Sequence, residues 1–491
     1  MVTEIEKNVF ELSKSGRVGQ LPPAAGVPEK PLSELIPPEL QRAKSAALPE
    51  IAEPQLVRHY TRLSTFNHHV DKAIYPLGSC TMKYNPKIND QVAALPGFAF
   101  LHPELPEKHC QGALRLLYEL ARDLAVIAGM DEVSLQPVAG AQGEMVGLLI
   151  IRAYHRKNDQ PRKKIIIPDS SHGTNPASVM LTGFEAVPLK SGADGLVDPA
   201  ALAEVLDENT AGLMLTNPNT LGLFEKEIEK ITAMVHEAGG LVYMDGANLN
   251  AMLGLVRPGD MGFDIVHFNL HKTFSTPHGG GGPGAGAVGV TTELAEFLPT
   301  PRIACVKVNG DKFYRREDVG KYSIGRVHSF DGNFGIMVRA YAYIRTLGPE
   351  GLRRVAENAI LNANYLASQL IDHYDLPYPL PCQHEFVLSA NRQKKQGVRA
   401  GEIGKRLLDF GVHAPTVYFP LIVPEALMIE PTETESKESL DRFAEILIQI
   451  AGEAQTDPDL VNSAPHTTPI LRLDEAKAAK DLDLCWPEET E

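Results

Sequence analysis

Apolar positions along this chain follow two alternating rhythms. Leu114, Leu117, Leu120, Leu124 and Ile127 share one face of a helix that Gly129 closes. Met145, Leu148 and Leu149 mark another helix, opened by Gly140-Ala141-Gln142-Gly143-Glu144. Between and beyond these lie short, mainly apolar runs that read as strands: 164–168, 213–216, 241–244 and 265–268. Asp198-Pro199 reads as an N-cap with proline at the first helical position, opening a helix over 200–206. Ile228, Ile231 and Val235 form a helical stripe stopped by Gly239-Gly240. Strands buried on both faces and separated by amphipathic helices predict an α/β fold, a mainly parallel sheet with helices on both faces. In such sheets ligands bind outside the carboxyl ends of the strands.

The two ends read differently. Residues 1–60 carry prolines at 22, 23, 28, 31, 37, 38, 49 and 54, too many for an independent core. Phe10, Leu12, Leu35, Ile36 and Leu40 would need cover, so the segment reads as an N-terminal arm laid over a neighbour. The large α/β domain spans 61–345 and a smaller C-terminal α+β domain 346–460. In the smaller domain 427–430 reads as a strand, and Leu440, Phe443, Leu447 and Ile450 as an amphipathic helix. Residues 461–491 form an irregular extension, and no internal repeat is visible. With 491 residues, 43% hydrophobic and 22% charged, the composition is that of an ordinary globular protein. A net charge of −15 argues against nucleic acid or an anionic membrane as partner. Cys80, Cys110, Cys305, Cys382 and Cys485 are odd in number and lack C-x-x-C spacing, which favours reduced thiols. With no apolar leader and no stretch near the ~20 residues of a membrane span, the expected location is cytoplasmic.

Chemistry concentrates at the predicted strand ends. Asp245 closes the 241–244 run, and Lys272 follows the 265–268 run within His271-Lys272-Thr273-Phe274-Ser275. A lysine that can form an imine with an aldehyde, and an acid that keeps a pyridine nitrogen protonated, are what pyridoxal 5'-phosphate requires. Ala247 is small enough to lie under the ring, and His172, in Ser170-Ser171-His172-Gly173-Thr174, could stack on its other face. Ala141, Gln142 and Gly143 would offer N–H groups to a phosphate, aided by His271 and Ser275. Thr216 and Asn217 would reach a ring hydroxyl. His172 and the 140–144 segment also have plain structural readings, as a loop histidine and a turn. The run 279–284 matches G-x-G-x-x-G but is followed by a strand-like sequence, so it is not a dinucleotide fingerprint. Adjacent His68 and His69 point apart and lack further ligands, so no metal is expected. The residues alone do not separate a decarboxylase from a cysteine desulfurase, for which Cys382 is a weak nucleophile candidate, or from a non-catalytic scaffold subunit.

Longer strings carry a resemblance. They are Pro76-Leu77-Gly78-Ser79-Cys80-Thr81-Met82-Lys83-Tyr84-Asn85-Pro86, Ser170 to Ala177, Thr216-Asn217-Pro218-Asn219-Thr220-Leu221-Gly222, the Lys272 stretch, and Met428-Ile429-Glu430-Pro431-Thr432-Glu433-Thr434-Glu435. In these, from residue 76 to 435, the chain resembles the P-protein family of the glycine cleavage system, in its two-subunit form. The resemblance implies a fold-type I pyridoxal phosphate enzyme of the aspartate aminotransferase-like class. Lys272 would carry the cofactor, Asp245 would pair with the pyridine nitrogen, and His172 would stack on the ring. The implied reaction removes the carboxyl of glycine as carbon dioxide and passes the aminomethyl group to a lipoylated H-protein. The implied assembly is an α2β2 heterotetramer with glycine dehydrogenase subunit 1.

Overall fold

The computed structural model describes residues 5–21, 23–24, 26–44, 46–278 and 284–486. Most of the glycine run 279–284 therefore lies outside the described residues. The chain forms two compact units, Val70–Ser463 and a second made of both ends, Met1–His69 with Ala464–Glu491.

The larger unit is built on a seven-stranded sheet. Its strands are β1 (Glu132–Ser134), β2 (Lys164–Pro168), β3 (Glu185–Leu189), β4 (Thr210–Thr216), β5 (Leu241–Gly246), β6 (Ile265–Asn269) and β7 (Gly286–Val290), in the order β1-β7-β6-β5-β4-β2-β3. β3, β2, β4, β5 and β6 pair in parallel, while β7 runs antiparallel to both β6 and β1. The mainly parallel sheet predicted from the buried runs is present. Pattern alone did not reveal that β7 reverses, nor the short strands β1 and β3.

Period-two alternation divides the sheet between two cores. Ile166, Val242, Met244, Val266 and Phe268 face the core that receives the Gln111–Ala128 helix. Ile165, Ile167, Tyr243 and Ile265 face the opposite core with Val146, Leu148 and Ile151 of the Gly140–Lys157 helix. The latter helix lies close against the sheet because Gly147 has no side chain; a Cβ there would overlap the Tyr243 ring. Asp198 caps its helix as predicted, accepting from Ala200 N at 2.9 Å.

A hairpin, β8 (Arg302–Val308) and β9 (Asp311–Glu317), precedes a long helical element, Phe334–Leu370, broken at Gly348 (φ 61°, ψ −177°). Beyond the break a second core forms on an antiparallel sheet of β10 (Phe386–Ser389), β12 (Ala426–Ile429) and β11 (Thr416–Val417). Leu366, Leu370, Ile403, Leu407, Phe443 and Leu447 fill it. Gly222, at φ +76°, sits against the Glu385 backbone, so the loop after β4 lies directly on the start of β10. No described helix is long and apolar enough to cross a membrane.

The unit of the two ends has a 14-residue helix, Glu53–Phe66. Glu6 accepts from Arg62 at 2.6 and 2.8 Å, and Phe10 stacks on Trp486 at 5.3 Å. Leu35 and Leu40 remain exposed.

Replacing Gly147 by Ala should lower stability by about 1–3 kcal/mol in urea unfolding, although the same change normally favours a helix interior by about 1 kcal/mol. A stabilised variant would mean that helix and sheet are not in close approach at this point.

Candidate active site

β5 and β6 end side by side, and their register aligns the chemistry. Thr216, Asp245 and His267 are Cα partners across β4, β5 and β6. Three residues past β6, Lys272 N–H bonds Asn269 O at 3.0 Å, and the turn closes with Ser275 at φ 57°. Fully buried Leu270 and Phe274 anchor both sides of this turn and aim Lys272 inward. Its Nζ, within a side chain only 6% exposed, donates to Ser79 O at 2.8 Å and Asn248 Oδ1 at 3.0 Å.

Asp245 is buried. Its oxygens accept from Asn175 Nδ2 at 2.9 Å and Ala247 N at 3.0 Å, and His267 Nε2 stands 3.5 Å away. Burial by itself would raise this carboxyl, but His267, His172 and the two N–H donors together hold it below the usual carboxylate range. His267 is kept neutral by burial, and its Nδ1 meets the Tyr243 hydroxyl, whose ionisation burial opposes strongly, at 2.6 Å.

His172 comes from the loop after β2. Burial depresses its basicity, and its Nδ1 meets Thr174 Oγ1 at 2.8 Å. Thr174 in turn donates to Glu144 at 2.6 Å, as does Ser178 at 2.6 Å. One ligand-type atom each of Glu144, His172 and Asp245 lies within 4.8 Å of the others. Burial, reinforced by Asp245, pushes Glu144 up to about 7.

The remaining expected residues surround this centre with varied freedom. Gly143 N bonds Ala139 O at 3.0 Å, leaving Gly140, Ala141 and Gln142 as the first-turn amides without an intrahelical acceptor. The Gln142 side chain is used by the protein itself, bonding Val138 N and Val327 O at 2.9 Å each. Ser275 gives its proton to Tyr84 O at 2.8 Å, whereas Thr273 Oγ1 and Thr276 Oγ1 are buried without partners among the described residues. His271 bonds Ala285 O at 3.1 Å; burial and neighbouring His278 push it down to about 3. Thr216 Oγ1 accepts from His172 N at 3.3 Å. Asn217 Oδ1 accepts from Glu225 N at 3.2 Å, and its Nδ2 is unpartnered. Ala247 is buried beside Asp245.

Several residues at the site were not anticipated. Asn175 is a polar residue inside a string already recognised, His267 a polar residue within an apolar run, Asn248 a polar residue just past Asp245, and Glu144 a charge opening an otherwise apolar helix. Ser79, Glu385 and Glu430 arrive from the 77–84 loop and from β10 and β12. Glu430 directly after the apolar strand Ala426–Ile429 was the available signal.

The sheet order, the reversed seventh strand and the lysine after β6 are those of fold-type I pyridoxal phosphate enzymes. A solved glycine decarboxylase (P-protein) in inhibitor-bound form superposes with TM-score 0.72 at 21% identity, covering 85% of this chain and 94% of that one. A NifS-like protein superposes with TM-score 0.59 at 15% identity, covering 77% and 99%. The family model described as "Glycine cleavage system P-protein" matches residues 29–315, and one described as "Glycine dehydrogenase, C-terminal domain" matches residues 355–466. The chain belongs to the glycine cleavage system P-protein family. A relative in Halalkalibacterium halodurans is 61% identical over 98% of each chain. One in Chlorobaculum tepidum is 58% identical over 98% of this chain and 99% of its own. Both are named probable glycine dehydrogenase (decarboxylating) subunit 2.

Because Glu144 binds its proton more tightly when folded, its contribution to stability declines as pH rises from about 4.5 to about 7 and is level above. Cofactor-free protein should lose about 2 kcal/mol between pH 5 and 8 from this group, and Glu144→Gln should remove that slope in urea titrations. An unchanged slope would show that Glu144 is already ionised at pH 5.

Proposed function

We propose that this chain is the lysine-bearing subunit of a glycine dehydrogenase that decarboxylates glycine. The remaining aminomethyl group passes to the lipoyl disulfide of an H-protein, an oxidoreductase reaction on a CH–NH2 donor. The observation that carries this reading is a buried lysine amine enclosed with a buried carboxylate and a neutral imidazole, in a chain of the P-protein family.

Pyridoxal 5'-phosphate fits these residues. The polar atoms with no partner among the described residues, Asn217 Nδ2, Thr273 Oγ1 and Thr276 Oγ1, stand with Lys272 and Asp245 around the strand ends. When bound, it supplies an electron sink for the pair released as the carboxyl carbon departs. Lys272 would hold it covalently, and its amine, when free, would carry protons to and from the reacting carbon. Asp245, kept ionised by four neighbouring groups, would stabilise positive charge on the pyridine nitrogen. His172, uncharged and steadied through Thr174 by Glu144, and the small Ala247 would pack against the ring. The Gly140, Ala141 and Gln142 amides at a helix N-terminus, with the Thr273 and Thr276 hydroxyls, suit the phosphate dianion. His271 and Ser275 would complete that wall, and Thr216 and Asn217 would serve the ring hydroxyl. Burial of this centre excludes water from the carbanion-like carbon.

The assembly consistent with this reading is an α2β2 heterotetramer with glycine dehydrogenase subunit 1. Exposed Phe100, Met180, Leu181 and Leu421 provide apolar surface for such a partner. A desulfurase is disfavoured because Cys382 is buried and its thiol is pushed up to about 12, the opposite of what a nucleophile needs. A scaffold role leaves the burial of Lys272 beside Asp245 without a purpose.

Purified with its partner subunit, the protein should show visible absorbance that borohydride abolishes, with the cofactor recovered on a peptide containing Lys272. Recovery on a different lysine would overturn the site. Asp245→Ala should retain cofactor yet slow the exchange of labelled bicarbonate into glycine, measured with lipoylated H-protein, by more than about a hundred-fold. Exchange at the wild-type rate would remove Asp245 from its proposed role.

A further inference from the structure

Two buried carboxyls next to Lys272 have no part in the chemistry described so far. Glu385 and Glu430 are 1% and 0% exposed, and His384 beside them is 0% exposed. One oxygen of each glutamate and one nitrogen of His384 lie within 4.8 Å of one another. Glu430 Oε2 accepts from Asn248 Nδ2 at 2.9 Å, and the same amide group's Oδ1 receives Lys272 Nζ at 3.0 Å. Glu385 Oε2 accepts from Ser79 N at 2.6 Å, and the carbonyl of that residue receives Lys272 Nζ at 2.8 Å. Each carboxyl is thus one residue away from the lysine amine, Glu430 through the Asn248 amide and Glu385 through the Ser79 main chain. Glu430 Oε1 is further held by Thr81 Oγ1 and by Asn250 Nδ2 at 3.2 Å.

The groups facing the pair leave Lys272 as the cation that bears on both carboxyls. Burial keeps His384 uncharged, and its Nε2 is 3.7 Å from Glu385. Cys80 is held as a thiol by burial. Glu433 is balanced by Lys83 at 2.6 Å. Two adjacent carboxylates in such a place cannot both ionise against one amine, so the arrangement is stable with a single proton between them.

We propose that Glu385 and Glu430 share one proton and together form the counter-ion of the protonated Lys272 nitrogen, both when it is covalently engaged and when it is a free ammonium. This rests on the reading of Lys272 as the cofactor lysine. They are positioning residues, acting through Asn248 and the Ser79 main chain. A net charge of −1 on the pair matches the +1 of the amine. No proton need enter or leave the buried cluster when the substrate amine displaces the lysine. Burial raises both carboxyls, Glu430 to about 7, and repulsion from Glu430 raises Glu385 further, in accord with this sharing.

The test is a pH titration of the visible absorbance of the holoenzyme, as wild type, Glu385→Gln, Glu430→Gln and the double variant. Each single substitution replaces the protonated member and leaves one negative charge, so the midpoint should move by less than about 0.3 units. The double variant removes the charge, and its midpoint should fall by about one unit or more. A fall of that size in each single variant, adding in the double, would show two separate carboxylates and overturn the shared proton. An unmoved double variant would overturn the counter-ion role. Infrared difference spectra at neutral pH give a second readout should the double variant fail to fold. Wild type minus Glu430→Gln should contain a protonated-carboxyl band, and its absence overturns the proposal. If wild-type absorbance is not trapped by borohydride at Lys272, the underlying reading fails instead; if it is trapped but its titration ignores the pair, only this inference fails.

Discussion

A buried ammonium must be surrounded by oxygen, and much of this active site follows from where those oxygens come from. Lys272 takes one from the Ser79 carbonyl and one from the Asn248 side chain. Each is fixed from behind by a glutamate, from the start of β10 and the end of β12. A second buried cation repeats the device nearby. Lys83, its side chain 1% exposed, joins Glu433 at 2.6 Å and the carbonyl of Thr273 at 2.8 Å. Breaking such a pair leaves an uncompensated charge, at a cost of about 3–5 kcal/mol. The lysine turn, the 77–84 loop and the antiparallel sheet are therefore held in one arrangement by the same few charges.

Carboxyls on opposite sides of that arrangement are driven in opposite directions. Asp245 gathers N–H donors and two imidazoles and stays ionised although buried. Glu385 and Glu430 face each other and retain a proton. Identical chemistry is thereby divided between a permanent anion and an acid–base pair by surroundings alone. Glu144 stands between these cases, satisfied by two hydroxyls yet raised by burial and by Asp245.

Much of the sheet was legible because its strands are buried on both faces and read as unbroken apolar runs. β1 is three residues long and β3 is half exposed, so neither carries that signal. Asp245 was legible because a charge directly after an apolar run is conspicuous, and Lys272 because it follows the next run by a few residues; parallel strands deliver such positions to one edge. Asn175 and Asn248 are ordinary polar loop residues until their partners are known. Glu385 and Glu430 lie more than 100 positions beyond Lys272, in a region whose pattern reports only a strand and a helix.

The sequence by itself determined the α/β architecture, the sheet edge where chemistry collects, and the family to which the chain belongs. These are encoded in local periodicity and in long contiguous strings. The tertiary structure alone decided the reversal of β7, the pairing of His267 with Tyr243, and the meeting of Ser79, Asn248, Glu385 and Glu430 around one amine. Such features depend on burial and on hydrogen bonds between residues distant along the chain, and neither is a property of any single segment.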